Sequence, residues 1–203
     1  MARRWAEFSV IFLLPPLLIA AGWLPKSAVM PVLWAVFLYS AVMLRRDGVA
    51  LLERSVRLGG VRELLPRMAA VTTAIGLFTW GCYPERFFLL VREQPLLWAA
   101  VLLLYPVLSV IPQEITFRRF FYHRYRLLFG RAALWANALL FAYVHIVFGN
   151  VVAIAFTFVG GVLFARTYER SRSVLLVSVE HACYGLALYT FGLGNFFYHN
   201  GGY

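Results

Sequence analysis

The fold is decided by two stretches, Pro112-Gln113-Glu114-Ile115-Thr116-Phe117-Arg118-Arg119 and Phe141-Ala142-Tyr143-Val144-His145, which lie on either side of Gly130. Side chains four residues apart share one face of a helix, so Glu114 lies beside Arg118 and Phe141 beside His145. If the chain turns back at Gly130, Glu114 lies 16 residues before the turn and His145 lies 15 residues after it. At a rise of about 1.5 Å per residue, the carboxylate and the imidazole reach nearly the same height. A carboxylate facing a histidine in an apolar protein is an arrangement that can activate water.

The composition is that of an integral membrane protein. Of the 203 residues, 62% are hydrophobic and only 14% are charged, with a mean hydropathy of +0.75. A soluble domain of this size does not carry such a bias. We therefore predict an all-α, polytopic membrane helical bundle, built as a single membrane domain over residues 1–203. About seven transmembrane helices are expected, at residues 8–24, 28–44, 68–83, 96–112, 132–148, 151–168 and 174–193.

The basic residues indicate how the bundle is oriented. The net charge is +10, but the arginines lie between the apolar segments rather than along one stripe, which argues against a nucleic-acid partner. With the N-terminus inside, 16 of the 19 basic residues fall in inside regions, and only Lys26, Arg86 and Arg92 remain outside. We expect a bacterial inner-membrane protein with a cytoplasmic N-terminus. Residues 45–67 are expected to form an amphipathic helix on the inner membrane surface or an ordinary charged connection.

Four ionisable residues lie within the apolar segments: Glu114, His145, Glu180 and His181. A charged side chain at membrane depth costs at least about 2.5 kcal/mol, which makes such residues functional candidates. Each also has a structural explanation. Glu114 could simply pair with Arg118, His145 could bond a backbone carbonyl, and Glu180 could pack against a neighbouring helix because it cannot share a face with His181. The other two histidines are expected at the membrane interface: His123 and His199.

A zinc site is a further possibility. Glu114, His145 and His181 could converge as a two-histidine, one-glutamate ligand set, although the chain has no His-Glu-x-x-His motif. The two cysteines, Cys82 and Cys183, form neither a metal pair nor a disulfide framework. We therefore expect no cofactor and do not favour zinc.

Three motifs, taken in order, resemble those of a known family. Glu-x-x-x-Arg at 114–118, Phe-x-x-x-His at 141–145 and the later intramembrane His181 resemble the motifs of the CAAX prenyl protease and bacteriocin-processing (CPBP, or Abi) intramembrane proteases. The resemblance covers about residues 95–195, the expected catalytic core. It implies an endopeptidase that cleaves a membrane-anchored protein or a lipidated or hydrophobic peptide. In this interpretation Glu114 and His145 activate a water, Arg118 orients the glutamate, and His181 stabilises the tetrahedral intermediate.

The chain departs from the family pattern at two positions. Gln113 replaces the first glutamate of the usual Glu-Glu pair. Gly185 replaces the Asn or Asp that commonly lies four residues after the third-motif histidine. An amide cannot serve as a general base, so Glu114 would have to take that role. The alternative is a non-catalytic membrane binding or chaperone protein that keeps the protease fold. A proton-coupled transporter is less well supported, because no inverted repeat is visible. The supporting residues in the protease interpretation are Gln113, Phe141 and Glu180.

Overall fold

The computed structural model describes residues 1–52 and 58–197, and within these ranges the chain contains helices but no β-strand. This confirms the predicted all-α fold. His199 lies outside the described residues. The α-helices are α1 (Ala2–Phe8), α2 (Leu14–Ala20), α3 (Val29–Arg46), α4 (Leu58–Cys82), α5 (Leu89–Glu93), α6 (Pro95–Tyr105), α7 (Ile111–Glu114), α8 (Phe121–Phe129), α9 (Ala133–Val144), α10 (Val151–Ser171) and α11 (Val174–Phe191).

Several of these helices are long and apolar enough to cross a membrane. In the described part of the chain, four helical stretches meet that requirement, namely Lys26–Arg46, Pro95–Phe148, Val151–Ser171 and Val174–Phe191. The second of them contains two predicted spans joined at Gly130. Helical segments cover most of the predicted spans 8–24 and 68–83, but these segments do not meet the requirement of length and hydropathy. The protein is therefore a polytopic membrane bundle, with fewer fully qualifying stretches than the seven predicted spans.

In its described part, residues 45–52 and 58–67, the predicted amphipathic helix is not present as a separate element. Helix α3 ends at Arg46, and the segment from Leu58 to Arg67 forms the first turns of α4, which continues through Pro66 to Cys82. Residues 53–57 lie outside the described residues. The apolar run that follows Arg67 explains the difference, because it continues the same helix and packs it against α11.

Two π-helical segments interrupt the helix that carries the first motif. They are Pro106–Val110, which begins at a proline, and Ile115–Phe120, which begins directly after Glu114. Proline lacks the backbone N–H that an α-helix requires, and π-turns of this kind occur frequently at functional sites. A third π-helical segment, Ser9–Leu13, precedes the proline pair of α2. Two of these three segments, Ser9–Leu13 and Pro106–Val110, thus lie at or next to a proline.

The chain turns back at Gly130, as the sequence predicts. Its φ of 53° and ψ of −123° suit glycine, which has no Cβ to oppose a positive φ. Helix α9 then packs beside α8 and the π-helical segment Ile115–Phe120. The Asn137 side chain of α9 donates a hydrogen bond of 2.6 Å to the Phe117 carbonyl. Since a wider turn disturbs the regular backbone ladder, this bond satisfies a buried carbonyl and fixes the two halves of the hairpin to each other.

The N-terminal helices pack onto this hairpin through aromatic side chains and ion pairs. Phe8 and Phe12 are buried against Tyr125, with ring centroids 5.4 and 5.9 Å away. The Arg124 side chain forms an ion pair with Glu7 at 3.0 Å. Close by, His123 lies 2.8 Å from Asp47, with about a third of each side chain exposed. This partial exposure agrees with the interfacial position predicted for His123.

Candidate active site

Glu114 is completely buried and has two charged or polar partners. Its Oε1 lies 2.7 Å from Nδ1 of His181, and its Oε2 lies 3.3 Å from Nε of Arg118. An ionised carboxylate only accepts hydrogen bonds, so His181 donates through Nδ1–H. Helix α11 supplies the imidazole, while the guanidinium comes from one turn further along the same helical segment as Glu114. The carboxylate therefore joins the first and third motifs directly.

Arg118 is held by a charge and by aromatic rings. The side chain is fully buried, and its guanidinium carbon lies 4.8 Å from the centre of the Phe141 ring and 5.7 Å from that of Phe164. None of the three guanidinium nitrogens of Arg118 has a hydrogen-bond partner among the described residues. The Glu114 carboxylate and the faces of the two rings are therefore the favourable contacts of this buried charge.

His145 occupies the end of α9, where the helix tightens into the 3₁₀ turn His145–Phe148. Its Nδ1 lies 2.6 Å from the carbonyl oxygen of Phe141, one turn earlier. Because a carbonyl only accepts, Nδ1 carries the hydrogen, and Nε2 of the neutral ring is left as an acceptor.

Glu114 and His145, which were expected to activate a water together, are not joined directly in the described residues. Neither a hydrogen bond nor an ion pair joins these two side chains in the part of the chain that the structure describes, and His181 bonds the carboxylate instead. The residue count along the hairpin estimates only the height of each side chain along its helix. Height alone does not decide which neighbouring helix a side chain faces, and the carboxylate of Glu114 faces α11.

The Phe141 ring connects the motif residues. It lies against His145 with centroids 4.8 Å apart, against His181 at 5.6 Å, and beneath the guanidinium of Arg118. Its backbone carbonyl also fixes Nδ1 of His145. This aromatic side chain therefore contacts both imidazoles.

His181 has a second polar partner that the sequence analysis missed. Its Nε2 lies 3.2 Å from the hydroxyl oxygen of Tyr105, the last residue of α6. A single tyrosine in a leucine-rich apolar segment gives no signal in the sequence, because most such residues simply pack. Phe164 stacks on the other side of the imidazole with centroids 4.6 Å apart. Together with the Glu114 bond, these contacts fix the orientation of the His181 ring.

Gln113 and Glu114 are adjacent but face different surroundings. Gln113 is partly buried, lines the central cavity and donates a hydrogen bond of 2.7 Å to the Ser109 hydroxyl. Glu114 lies behind the cavity wall, in contact with His181 and Arg118. This divergence follows from the angle of about 100° between successive helical residues. The cavity surface at this point therefore presents the Gln113 amide, and the Glu114 carboxylate lies behind it.

Glu180 belongs to a second buried polar group. Its carboxylate pairs with Arg67 at 2.7 Å and accepts hydrogen bonds from Thr167 at 2.6 Å and from Tyr184 at 2.9 Å. These contacts tie α4, α10 and α11 together. As expected for neighbouring positions on a helix, Glu180 and His181 face different partners. Glu180 therefore supports the site by fixing the helix that carries His181.

A cavity of about 1080 Å³ opens onto both histidines. Its walls are mainly apolar, and its lining includes no carboxylate among the described residues. One wall comes from residues 11–36, which lie ahead of the motif-bearing part of the chain. The polar lining residues include Lys26, Ser27, Tyr105, Ser109, Gln113, Thr116, His145, Thr157, His181, Tyr184 and Tyr189. The cavity can therefore take a hydrophobic ligand and bring it to the imidazoles.

The positions of the His, Cys, Asp and Glu side chains bear on whether the protein could bind a metal. Within residues 1–52 and 58–197, no three His, Cys, Asp or Glu side chains come together as a metal site would require. The set Glu114, His145 and His181 considered from the sequence does not form such a group. Cys82 and Cys183 are both free thiols.

Comparison with known proteins finds a similarity to a family model over part of the chain. Residues 95–187 match the family model described as "Type II CAAX prenyl endopeptidase Rce1-like". No curated protein and no solved structure matches the chain. The matched region contains the first two motifs, His181 and Tyr105. Residues 95–187 are thus similar to the CAAX prenyl endopeptidase family, the group that the three motifs resemble.

Proposed function

We propose that the protein is an intramembrane endopeptidase that cleaves a membrane-anchored, lipidated or otherwise hydrophobic peptide. The observation that carries this proposal is the 2.7 Å contact between Glu114 and His181, at a cavity that His145 also lines. A carboxylate behind a histidine fixes its tautomer and stabilises the imidazolium that forms when the ring accepts a proton. The pair therefore supplies a base even though the cavity surface carries Gln113 in place of a glutamate.

In this mechanism the two imidazoles hold one water. Nδ1–H of His181 is bonded to Glu114 and Nδ1–H of His145 to the Phe141 carbonyl, so Nε2 of each neutral ring is an acceptor. The two hydrogens of the water point at these nitrogens, and an oxygen lone pair is left for the scissile carbonyl carbon. His181 is the base, because a carboxylate supports its positive charge and only a carbonyl supports that of His145.

Hydrolysis then proceeds with His181 moving one proton. As the water oxygen bonds to the carbonyl carbon, an O–H bond breaks and its proton passes to Nε2 of His181. The tetrahedral intermediate collapses when the C–N bond breaks, and the departing amine takes the proton from Nε2. Glu114 and Arg118 stay charged throughout and are positioning residues, because neither touches the substrate. The products are an amine and a carboxylic acid, which then ionises in water to the carboxylate.

The expected substrate follows from the cavity and from the family. An apolar volume of about 1080 Å³ suits a lipid chain or an apolar peptide segment better than a polar one. The family description names prenyl endopeptidases, which agrees with this preference. The excess of arginine in alternate connections supports an N-terminus on the cytoplasmic side of the membrane.

Mapping protein termini in cells tests this function. Membrane fractions are compared from cells of the source organism that produce the wild-type protein, His181→Ala or the control His123→Ala. His123 is the matched control because it pairs with Asp47 at the membrane interface, outside the cavity. We expect a set of membrane-protein termini that depends on the wild type, persists with His123→Ala and disappears with His181→Ala. Identical termini with all three proteins would contradict the proposal and would favour a non-catalytic binding role.

A further inference from the structure

We propose that Tyr105 is a catalytic residue whose hydroxyl donates a hydrogen bond to the substrate's carbonyl oxygen as it becomes an oxyanion. The inference rests on the endopeptidase function proposed above and adds a donor to the same site. Two independent features carry it: the contact between Tyr105 and His181, and the absence of a side chain at Gly185.

The hydroxyl lies where the reaction would take place. Tyr105 lines the cavity, and its oxygen is 3.2 Å from Nε2 of His181, the nitrogen assigned as the base. The ring is partly buried and packs edge-on against Tyr189, with centroids 5.5 Å apart. Tyr105 is also the last residue before the π-helical segment that begins at Pro106. The phenol is thus held at the polar end of an apolar cavity, beside the nitrogen that meets the water.

Gly185 makes this position available. It lies on α11 four residues after His181 and therefore on the same helix face. A Cβ at this position would overlap the Tyr105 hydroxyl and would lie 2.6 Å from Cζ of its ring. No side chain larger than hydrogen fits beside the phenol in its present place. The glycine thus leaves the space that Tyr105 fills, at the position where the family commonly carries Asn or Asp.

The hydrogen bond of Tyr105 can change acceptor during the reaction. With Nδ1–H of His181 bonded to Glu114, the Tyr105 O–H donates to Nε2 while the cavity is empty. A water that donates to the same lone pair releases the phenol hydrogen, and rotation about the C–O bond turns it toward the carbonyl oxygen. The tyrosine keeps its proton throughout, so the proton balance of the hydrolysis is unchanged. Removing one oxyanion donor typically lowers kcat by about 10²–10³-fold.

Kinetics of a small set of variants test the assignment. The probe is a synthetic peptide spanning a cleavage site found by terminus mapping, presented to the purified protein in proteoliposomes. We expect Tyr105→Phe to lower kcat by about 10²–10³-fold and to change KM by less than about threefold, because the lost bond forms only in the transition state. A purely structural role would not separate kcat from KM in this way.

A rescue experiment uses the geometry around Gly185. Gly185→Asn alone should be as impaired as Tyr105→Phe, because the added side chain displaces the phenol. In a Tyr105→Ala background the same asparagine has room and brings its own N–H donor. We expect the double variant to regain at least tenfold in kcat over Tyr105→Ala. Wild-type kcat in Tyr105→Phe, or no gain in the double variant, would overturn the assignment of Tyr105.

A spectroscopic measurement separates this inference from the proposed function. In protein with ¹⁵N-labelled histidine, the Nε2 signal of His181 should shift in Tyr105→Phe and remain unchanged in the control Tyr39→Phe, whose hydroxyl bonds Glu7 outside the cavity. An unmoved signal in Tyr105→Phe would overturn the contact itself. If the wild type cleaves no peptide although the signal shifts, the endopeptidase function fails and the catalytic role of Tyr105 fails with it.

Discussion

Replacing Glu114 by glutamine tests how the buried charges are balanced. The side chain keeps its shape, and its amide oxygen can still accept the hydrogen of Nδ1 on His181. Arg118, however, loses the carboxylate 3.3 Å from its Nε and stays completely buried. Removing one partner of a buried ion pair typically costs about 3–5 kcal/mol, because the remaining charge is left uncompensated. We expect a loss of this size in the free energy of unfolding.

The double variant Glu114→Gln/Arg118→Met separates stability from activity. Replacing both charges of a buried pair by neutral side chains of similar volume is often close to neutral. The double variant should therefore recover to within about 1 kcal/mol of the wild type. It should still cleave slowly, because the carboxylate that supports the imidazolium of His181 is absent.

The assay is equilibrium unfolding in mixed micelles, followed by helicity, with the peptide cleavage rate measured in parallel. Glu85→Gln is the matched control, since Glu85 pairs with Arg86 at 3.6 Å and is largely exposed. Such a surface pair contributes about 0–1 kcal/mol, so this variant should unfold almost as the wild type does. A loss below about 1 kcal/mol in Glu114→Gln, or a double variant as unstable as the single one, would refute the charge balance described here.

Three further predictions follow from the orientation, the cavity lining and the interfacial ion pair. In a cysteine-free background, Glu93→Cys should react with an impermeant thiol reagent from outside and Leu127→Cys from inside, because arginines concentrate on the Leu127 side. Labelling of both positions from one side would contradict this orientation. Gln113→Glu should keep or exceed the wild-type cleavage rate, because the new carboxylate can accept a hydrogen bond from Ser109 and adds a proton acceptor to the cavity. A more than tenfold loss of cleavage rate would contradict this reasoning. The hydrogen bond from His123 holds the pKa of Asp47 below its usual 3.8, so Asp47 contributes stability above that pH and loses it as the pH falls through the lowered value. Unfolding midpoints of the wild type and Asp47→Asn should therefore differ above about pH 4 and converge in stronger acid, and parallel curves would exclude the linkage.

The elements that the sequence predicted well are those governed by local rules. Helical spacing placed Glu114 beside Arg118 and Phe141 beside His145, and Gly130 marked the turn of the hairpin. The cost of a charge within the membrane singled out Glu114, His145, Glu180 and His181, and each of the four has a specific polar partner in the structure.

The choice among partners was beyond the sequence, because it depends on how three helices pack. Counting residues along the hairpin favoured His145 as the partner of Glu114, but the carboxylate faces α11 and bonds His181. Tyr105 was missed for a related reason. Its role becomes visible only when α6 and α11 approach closely enough at Gly185 for a phenol to reach the imidazole.

The wall that residues 11–36 contribute to the cavity has a consequence for how this protein can diversify. In the proposed mechanism, bond cleavage depends on side chains within 95–187, whereas part of the surface that a hydrophobic ligand would touch belongs to the N-terminal helices. The N-terminal helices thus add to the surface that a ligand would contact without carrying the proposed catalytic residues. Substitutions among the apolar residues of α2 and α3 can reshape what the cavity admits while the Glu114–His181 pair keeps its geometry. Substrate selectivity can therefore change, by evolution or by engineering, while the proposed catalytic residues stay the same.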